Sequence, residues 1–220
     1  MAGVMAGQDS ASQDTERAAV LAFERRSEPV RELAAQAEAV ARACHAMAVR
    51  FHQGGKLVVF GTGGASTDAQ HVAVEFVHPV IVGKRALPAI SLTTDVATVT
   101  GIAARDGMEA IFAHQIRCLA SPEDIALGIS ADGSCPSVRA GLAAAKDLGM
   151  LTIALAGGLK GAGEAGGALR GAPSVDHVLL AASGDPRVVK ELQVTTYHVL
   201  WELVHVFFEQ PGVLAPGVVA

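Results

Sequence analysis

Between Thr15 and Phe51 the apolar residues fall three or four apart, Leu21, Ala22, Val30, Leu33, Ala37, Val40, Cys44, Met47 and Phe51 among them. That is the period of one helix face. The spacing predicts two helices, about 15–27 and 28–53, with Gly54-Gly55 as the stop signal. The pattern then changes to short, continuous apolar runs: 56–60, 89–92, 125–129, 150–155 and 175–180. Each is bounded by glycine or polar residues and reads as a buried strand. Helices are expected between them at 68–80, from near Asp95, at 108–119 and at 136–148, with Pro136 suited to a first turn. A glycine-rich loop is expected at 156–172 and a long last helix at 186–209. Residues 1–14 read as a flexible, frayed end, 15–210 as a single domain with an N-terminal helical extension, and 211–220 as a tail without helical or strand signal. Strands that are apolar throughout and alternate with helices predict an α/β fold with a five-stranded parallel sheet covered on both faces.

Composition narrows the function classes. The 220 residues carry a net charge of -5 and 4% aromatic residues, which argues against a nucleic-acid binder, since both the basic surface and the stacking platforms are lacking. Three scattered cysteines without CxxC spacing fit a reducing cytoplasm. No signal peptide and no apolar run of about 18 residues is read, so no membrane partner is expected.

Chemistry concentrates where strands run into helices, the side on which parallel sheets bind ligands. The first such turn, Gly61-Thr62-Gly63-Gly64-Ala65-Ser66, can cradle an anion on backbone N–H groups at a helix start. It matches neither the dinucleotide nor the Walker pattern, and a plain tight turn explains it equally well. The second, Ser130-Ala131-Asp132-Gly133-Ser134-Cys135-Pro136-Ser137, offers hydroxyls and a thiol at another helix start. Helix capping accounts for at least one hydroxyl, and Cys135 reads first as a packing residue. His71 and Glu75, four apart, share a helix face and can act as acid and base or hold a metal. His198 lies on the last helix, two turns after Lys190 and one turn before Glu202. Taken singly, each histidine reads as structural.

Together these stretches resemble the sugar isomerase (SIS) family. GTGGASTDAQHVAVEF is similar to GNGGSxxDAxHxxxE of its bacterial phosphoheptose isomerases, followed in order by LPAISLTTD, IFAHQI, ISADGSCPSV and RVVKELQVTTYHVLWELVH. The resemblance implies a flavodoxin-like three-layer sandwich and a homotetramer with sites at subunit interfaces. It further implies aldose–ketose isomerisation of sedoheptulose 7-phosphate through an enediol, in the cytoplasm. It places the acid–base pair at Glu75 and His198 and zinc on His71, Glu75 and His198. Ligand contacts are expected from Thr62, Gly63, Gly64, Ser66, Asp95, Arg105, Ser130, Asp132 and Lys190.

Departures cluster in the ligand positions. Lys190 stands where the pattern has a fourth zinc ligand, a glutamine; Ala65, Asp132 and Cys135 stand for serines; Ala104-Arg105 stands for Asn-Asp. A protonated lysine repels a cation. Two readings follow: zinc on three ligands plus water, or, slightly preferred, the ammonium as electrophile in its place. A different sugar phosphate fits the rearranged polarity. The rival function is a non-catalytic SIS module binding a sugar phosphate or a protein partner. A metal-dependent hydrolase using the same trio is a third reading.

Overall fold

The computed structural model describes residues 2–158, 166–210, 212 and 214, with side chains from residue 13 onward. The elements in chain order are α1 (Ala2–Ala34), α2 (Ala37–His52), β1 (Leu57–Gly61), α3 (Gly64–Val77), β2 (Ala89–Ser91), α4 (Val96–Asp106), α5 (Ile111–Leu119), β3 (Ile125–Ser130), α6 (Pro136–Leu148), β4 (Leu151–Gly158), β5 (His177–Ala182) and α7 (Pro186–Glu209). The five strands form one parallel sheet in the order β2-β1-β3-β4-β5. This is the expected α/β architecture, and the strand order reverses direction between β1 and β3, where such sheets open a crevice for ligands.

Alternation along the strands builds two core layers. Leu57, Val59, Leu127, Ile129, Ile153 and Leu155 pack beneath α2, α3 and α7 with Met47, Phe76, Leu200 and Trp201. Val58, Phe60, Ala126, Ala154 and Ala156 face α5 and α6 through Ile111, Phe112, Val138 and Leu142. Cys44 of α2 is fully buried against α7, with Sγ 3.9 Å from the Leu200 carbonyl. Burial pushes its thiol pKa up to about 12.

The N-terminal helices depart from expectation. One helix runs from Ala2 to Ala34, through the stretch expected to fray and past the expected break after residue 27. Pro29 lies inside it and removes one N–H donor. The break falls instead at 35–36, where the Gln36 amide pairs with the edge strand: Nε2 donates to the Leu180 carbonyl (2.8 Å) and Oε1 accepts the Leu180 N–H (2.9 Å). This satisfies backbone groups that an edge strand leaves open. The expected helix at 108–119 divides into a 3₁₀ turn, Met108–Ala110, and α5. The helix after β1 starts at Gly64, four residues earlier than expected. Residues 159–165 of the expected glycine-rich loop lie outside the described residues, as does the tail except Gly212 and Leu214.

Candidate active site on helices α3 and α7

α3 and α7 lie on the same face of the sheet, and each is fixed where it leaves the strand layer. Gly63, with φ of 59°, turns the chain from β1 into α3, a conformation glycine adopts without steric cost. Asp185 caps α7 by accepting the Arg187 N–H at 3.0 Å, and Pro186 takes the first turn. Hydrogen bonds from Arg187 hold the Asp185 carboxyl at a pKa of about 2. Further along, Trp201 Nε1 donates to the Glu75 carbonyl at 3.0 Å and ties the two helices together.

Across that seam the structure brings together His71, Glu75 and His198. His71 Nε2 lies 3.1 Å and His198 Nε2 3.4 Å from the same atom, Glu75 Oε1. One ligand atom from each of the three lies within 4.8 Å of the others. His198 Nε2 is shielded from solvent and makes no hydrogen bond, although Glu75 Oε1 lies 3.4 Å away. An unpartnered buried nitrogen is costly, and a cation between the three groups would satisfy it. Two imidazoles and a carboxylate are a donor set that suits zinc with an open position. The residues present therefore fit the metal that the family resemblance implies.

Lys190, on α7, is turned toward the start of α3. Its Nζ donates to the Gly64 carbonyl (2.7 Å) and to Asp68 Oδ2 (2.5 Å), with Thr67 Oγ1 at 3.4 Å. Asp68 is buried, and the ion pair answers the charge of both groups. Tyr197, also buried, places its hydroxyl 3.3 Å from His71 Nδ1. Burial, and then the charges of Asp68 and Glu75, raise its phenol pKa.

The strand ends form a separate cavity of about 580 Å³ lined by Thr62, Ser130, Asp132, Ser134 and Cys135 together with Ser183 and Pro186. Asp132 organises its floor, accepting the Ser134 N–H (2.8 Å) and the Ser130 hydroxyl (3.1 Å). Gly133 is obligatory there: φ is 69°, and a Cβ would stand 2.0 Å from the Gly166 carbonyl oxygen. Cys135 occupies the N-cap position of α6 without a side-chain capping bond, its Sγ 3.1 Å from Thr62 Oγ1 and 3.3 Å from Ser137 Oγ. Burial opposes ionisation of this thiol, but the hydroxyls of Ser137 and Thr62 and the N–H groups of Ser137 and Val138 outweigh it and lower the pKa. Thr62 also lines a neighbouring hollow of about 200 Å³ with Gly63, Ser66 and Thr93.

Two expected ligand residues stand elsewhere. Asp95 caps α4 by accepting from the Thr98 N–H and hydroxyl. Arg105, at the other end of α4, pairs with Asp106 (2.7 Å). Both line a third cavity with His114 and Cys118, and neither lines the strand-end cavity. Glu75 and His198 open into a fourth hollow, of about 450 Å³, with Lys84, Trp201 and Glu202. His205, not singled out from sequence, is a satisfied core histidine bonded to the Trp201 and Arg85 carbonyls.

Sequence reasoning missed Asp68, Tyr197 and Trp201. Asp68 precedes His71 by three positions on the same helix face, a spacing that points to it. The chain holds a single tyrosine and a single tryptophan, and both lie within three residues of His198.

Comparison with known proteins accords with this geometry. The family model described as "SIS domain" matches residues 23–157. A phosphoheptose isomerase from Solidesulfovibrio magneticus is 40% identical over 181 residues, covering 82% of this chain and 84% of that relative. The structure of a phosphoheptose isomerase from Francisella tularensis superposes with a TM-score of 0.78 at 30% identity, over 89% of this chain and 98% of that one. The phosphoheptose isomerase of Neisseria gonorrhoeae shares the fold, with a TM-score of 0.76 at 24% identity over 86% and 98%. The chain belongs to the SIS domain family.

Proposed function

We infer that this SIS-domain protein is an aldose–ketose isomerase of a sugar phosphate, of the phosphoheptose isomerase type, and that its reaction centre is the seam between α3 and α7. One observation carries the reading: His71 Nε2 and the unpartnered His198 Nε2 converge on Glu75 Oε1. A purely structural histidine is expected to bond a backbone carbonyl, as His205 does. In the ketose-to-aldose direction Glu75 takes the proton from the hydroxymethyl carbon next to the carbonyl. The resulting enediol receives it at the former carbonyl carbon. His198 carries a proton between the two oxygens. His71 orients the carboxylate.

His71, Glu75 and His198 would hold zinc, which would supply Lewis-acid polarisation of the substrate carbonyl. Lys190 directs its N–H donors to Gly64 and Asp68. That supports a three-ligand metal site with water over an ammonium acting as electrophile. The phosphate is assigned to the strand-end cavity, at the starts of α3 and α6, where Thr62 and Ser134 offer hydroxyls.

The acid–base pair and this cavity do not share one pocket within a single chain. The hollow beside Glu75 is rimmed by exposed Val80 and Ile81. Both facts support a homotetramer in which a second copy completes each site. Among the described residues no helix is long and apolar enough to cross a membrane. Free Cys44, Cys118 and Cys135 are consistent with a cytoplasmic protein.

The test is proton NMR with sedoheptulose 7-phosphate in heavy water, with and without zinc. Aldose formation, or deuterium entering beside the carbonyl, is the expected result, with the rate dependent on zinc. Exchange without zinc would restore Lys190 as electrophile. No exchange in either case would reject this substrate and favour another sugar phosphate or a non-catalytic binding module.

A further inference from the structure

We propose that Tyr197 is a positioning residue for the reaction, its hydroxyl holding the His71 ring so that Nε2 faces Glu75 and His198. The His71 side chain is half exposed, on the open face of α3. An exposed imidazole turns freely about its terminal torsion unless a partner holds it. Tyr197 is 1% exposed, and His71 Nδ1, at 3.3 Å, is the polar atom its hydroxyl meets. A buried phenol needs such a partner. The same ring wedges against both histidines, edge to face: its centroid lies 5.5 Å from that of His71 and 4.8 Å from that of His198, while the two imidazoles are 5.3 Å apart.

The hydroxyl serves either tautomer, because it both donates and accepts. Without metal it donates to Nδ1, so Nε2 carries the hydrogen and donates to Glu75 Oε1. When Nε2 gives its lone pair to a metal, Nδ1 carries the hydrogen and donates to the phenol oxygen. Partners of this kind that orient a ligating histidine typically change metal affinity by about 10–100-fold.

The proposal rests on the reading of His71, Glu75 and His198 as the reaction centre only for its kinetic consequence; the ring orientation is read independently by nitrogen NMR. Long-range ¹H–¹⁵N correlation on the full chain, freed of metal and held at one neutral pH, should show His71 as a single tautomer protonated at Nε2. Zinc should convert it to the Nδ1-protonated form. In Tyr197→Phe, which keeps the ring and loses the hydroxyl, the His71 Nδ1 resonance should move to that of a ring nitrogen without a hydrogen-bond partner, while Glu75 still accepts from Nε2. Zinc should then bind about tenfold more weakly, and kcat should fall several-fold with KM little changed. Tautomer-averaged His71 signals in the unaltered protein would overturn the proposal without any variant. So would a Tyr197→Phe protein with unchanged His71 signals and zinc affinity. If the unaltered protein shows the single tautomer and no isomerisation, the positioning stands and the assigned substrate falls.

Discussion

The α3–α7 seam and the strand-end turn are assembled in opposite ways. The seam joins side chains more than a hundred residues apart, His71 and Glu75 to Tyr197, His198 and Trp201. Its geometry is set by how two helices pack on one sheet face. The turn is local: Ser130, Asp132, Ser134, Cys135 and Ser137 bond one another within eight consecutive residues. Of the residues that depart from the family pattern there, Asp132 bonds Ser130 and Ser134 within the turn, while Cys135 bonds Ser137 and also reaches Thr62 of the first turn, so their polarity is set among loops rather than by the helix seam. On the proposed reading, proton chemistry and ligand recognition fall on parts of the molecule that can vary separately.

The sharpest way to break this separation is at Glu75. Glu75→Gln should lower turnover by at least about 10²-fold, the scale of general acid–base catalysis. Affinity for the sugar phosphate by calorimetry should stay within about threefold. A parallel loss of affinity would mean that the seam also anchors the ligand. Gly133→Ala should give the reverse pattern. Its methyl group would press on the Gly166 carbonyl at a φ of 69°, costing about 1–3 kcal/mol for overpacking and about 1 kcal/mol for the left-handed backbone. Thermal unfolding should show the loss, and KM should rise while the zinc affinity of the seam is kept.

The smallest effect sharpens the turn alone. The Cys135 thiol pKa is lowered from its ordinary value by the hydroxyls and N–H groups around it, so its thiolate persists to lower pH than that of an unperturbed thiol. Alkylation by iodoacetamide, followed at Cys135 by mass spectrometry, should therefore have its midpoint below that value and slow as pH falls through it. Inorganic phosphate should protect the thiol. A midpoint at the ordinary value would show that Thr62 and Ser137 do not stabilise the anion.

The strands were legible because burial on both faces writes them as continuous apolar runs, and their order with the helices points to a parallel sheet. The division between α1 and α2 was not legible. It is set by Gln36 meeting Leu180 of β5, 144 residues away, and Pro29 is a misleading breaker inside α1. At the site, His71 and Glu75 were visible through their spacing, whereas His198 was marked by its place between Lys190 and Glu202 and joined to Glu75 only through the family pattern. Lys190 was flagged as a cation in a metal-ligand position; the buried Asp68 that answers its charge becomes visible only when α7 crosses α3. Asp95 and Arg105 are expected as ligand contacts through the family resemblance; within one chain both line the cavity beside α4 rather than the strand-end cavity.

The buried thiol of Cys44 has a consequence of another kind. With its pKa pushed up to about 12 and its sulfur sealed between α2 and α7, it meets a reagent only when those helices part. Its modification rate is therefore a clock for local opening beneath the seam, reporting the free energy that separates the closed core from its first exposed substate.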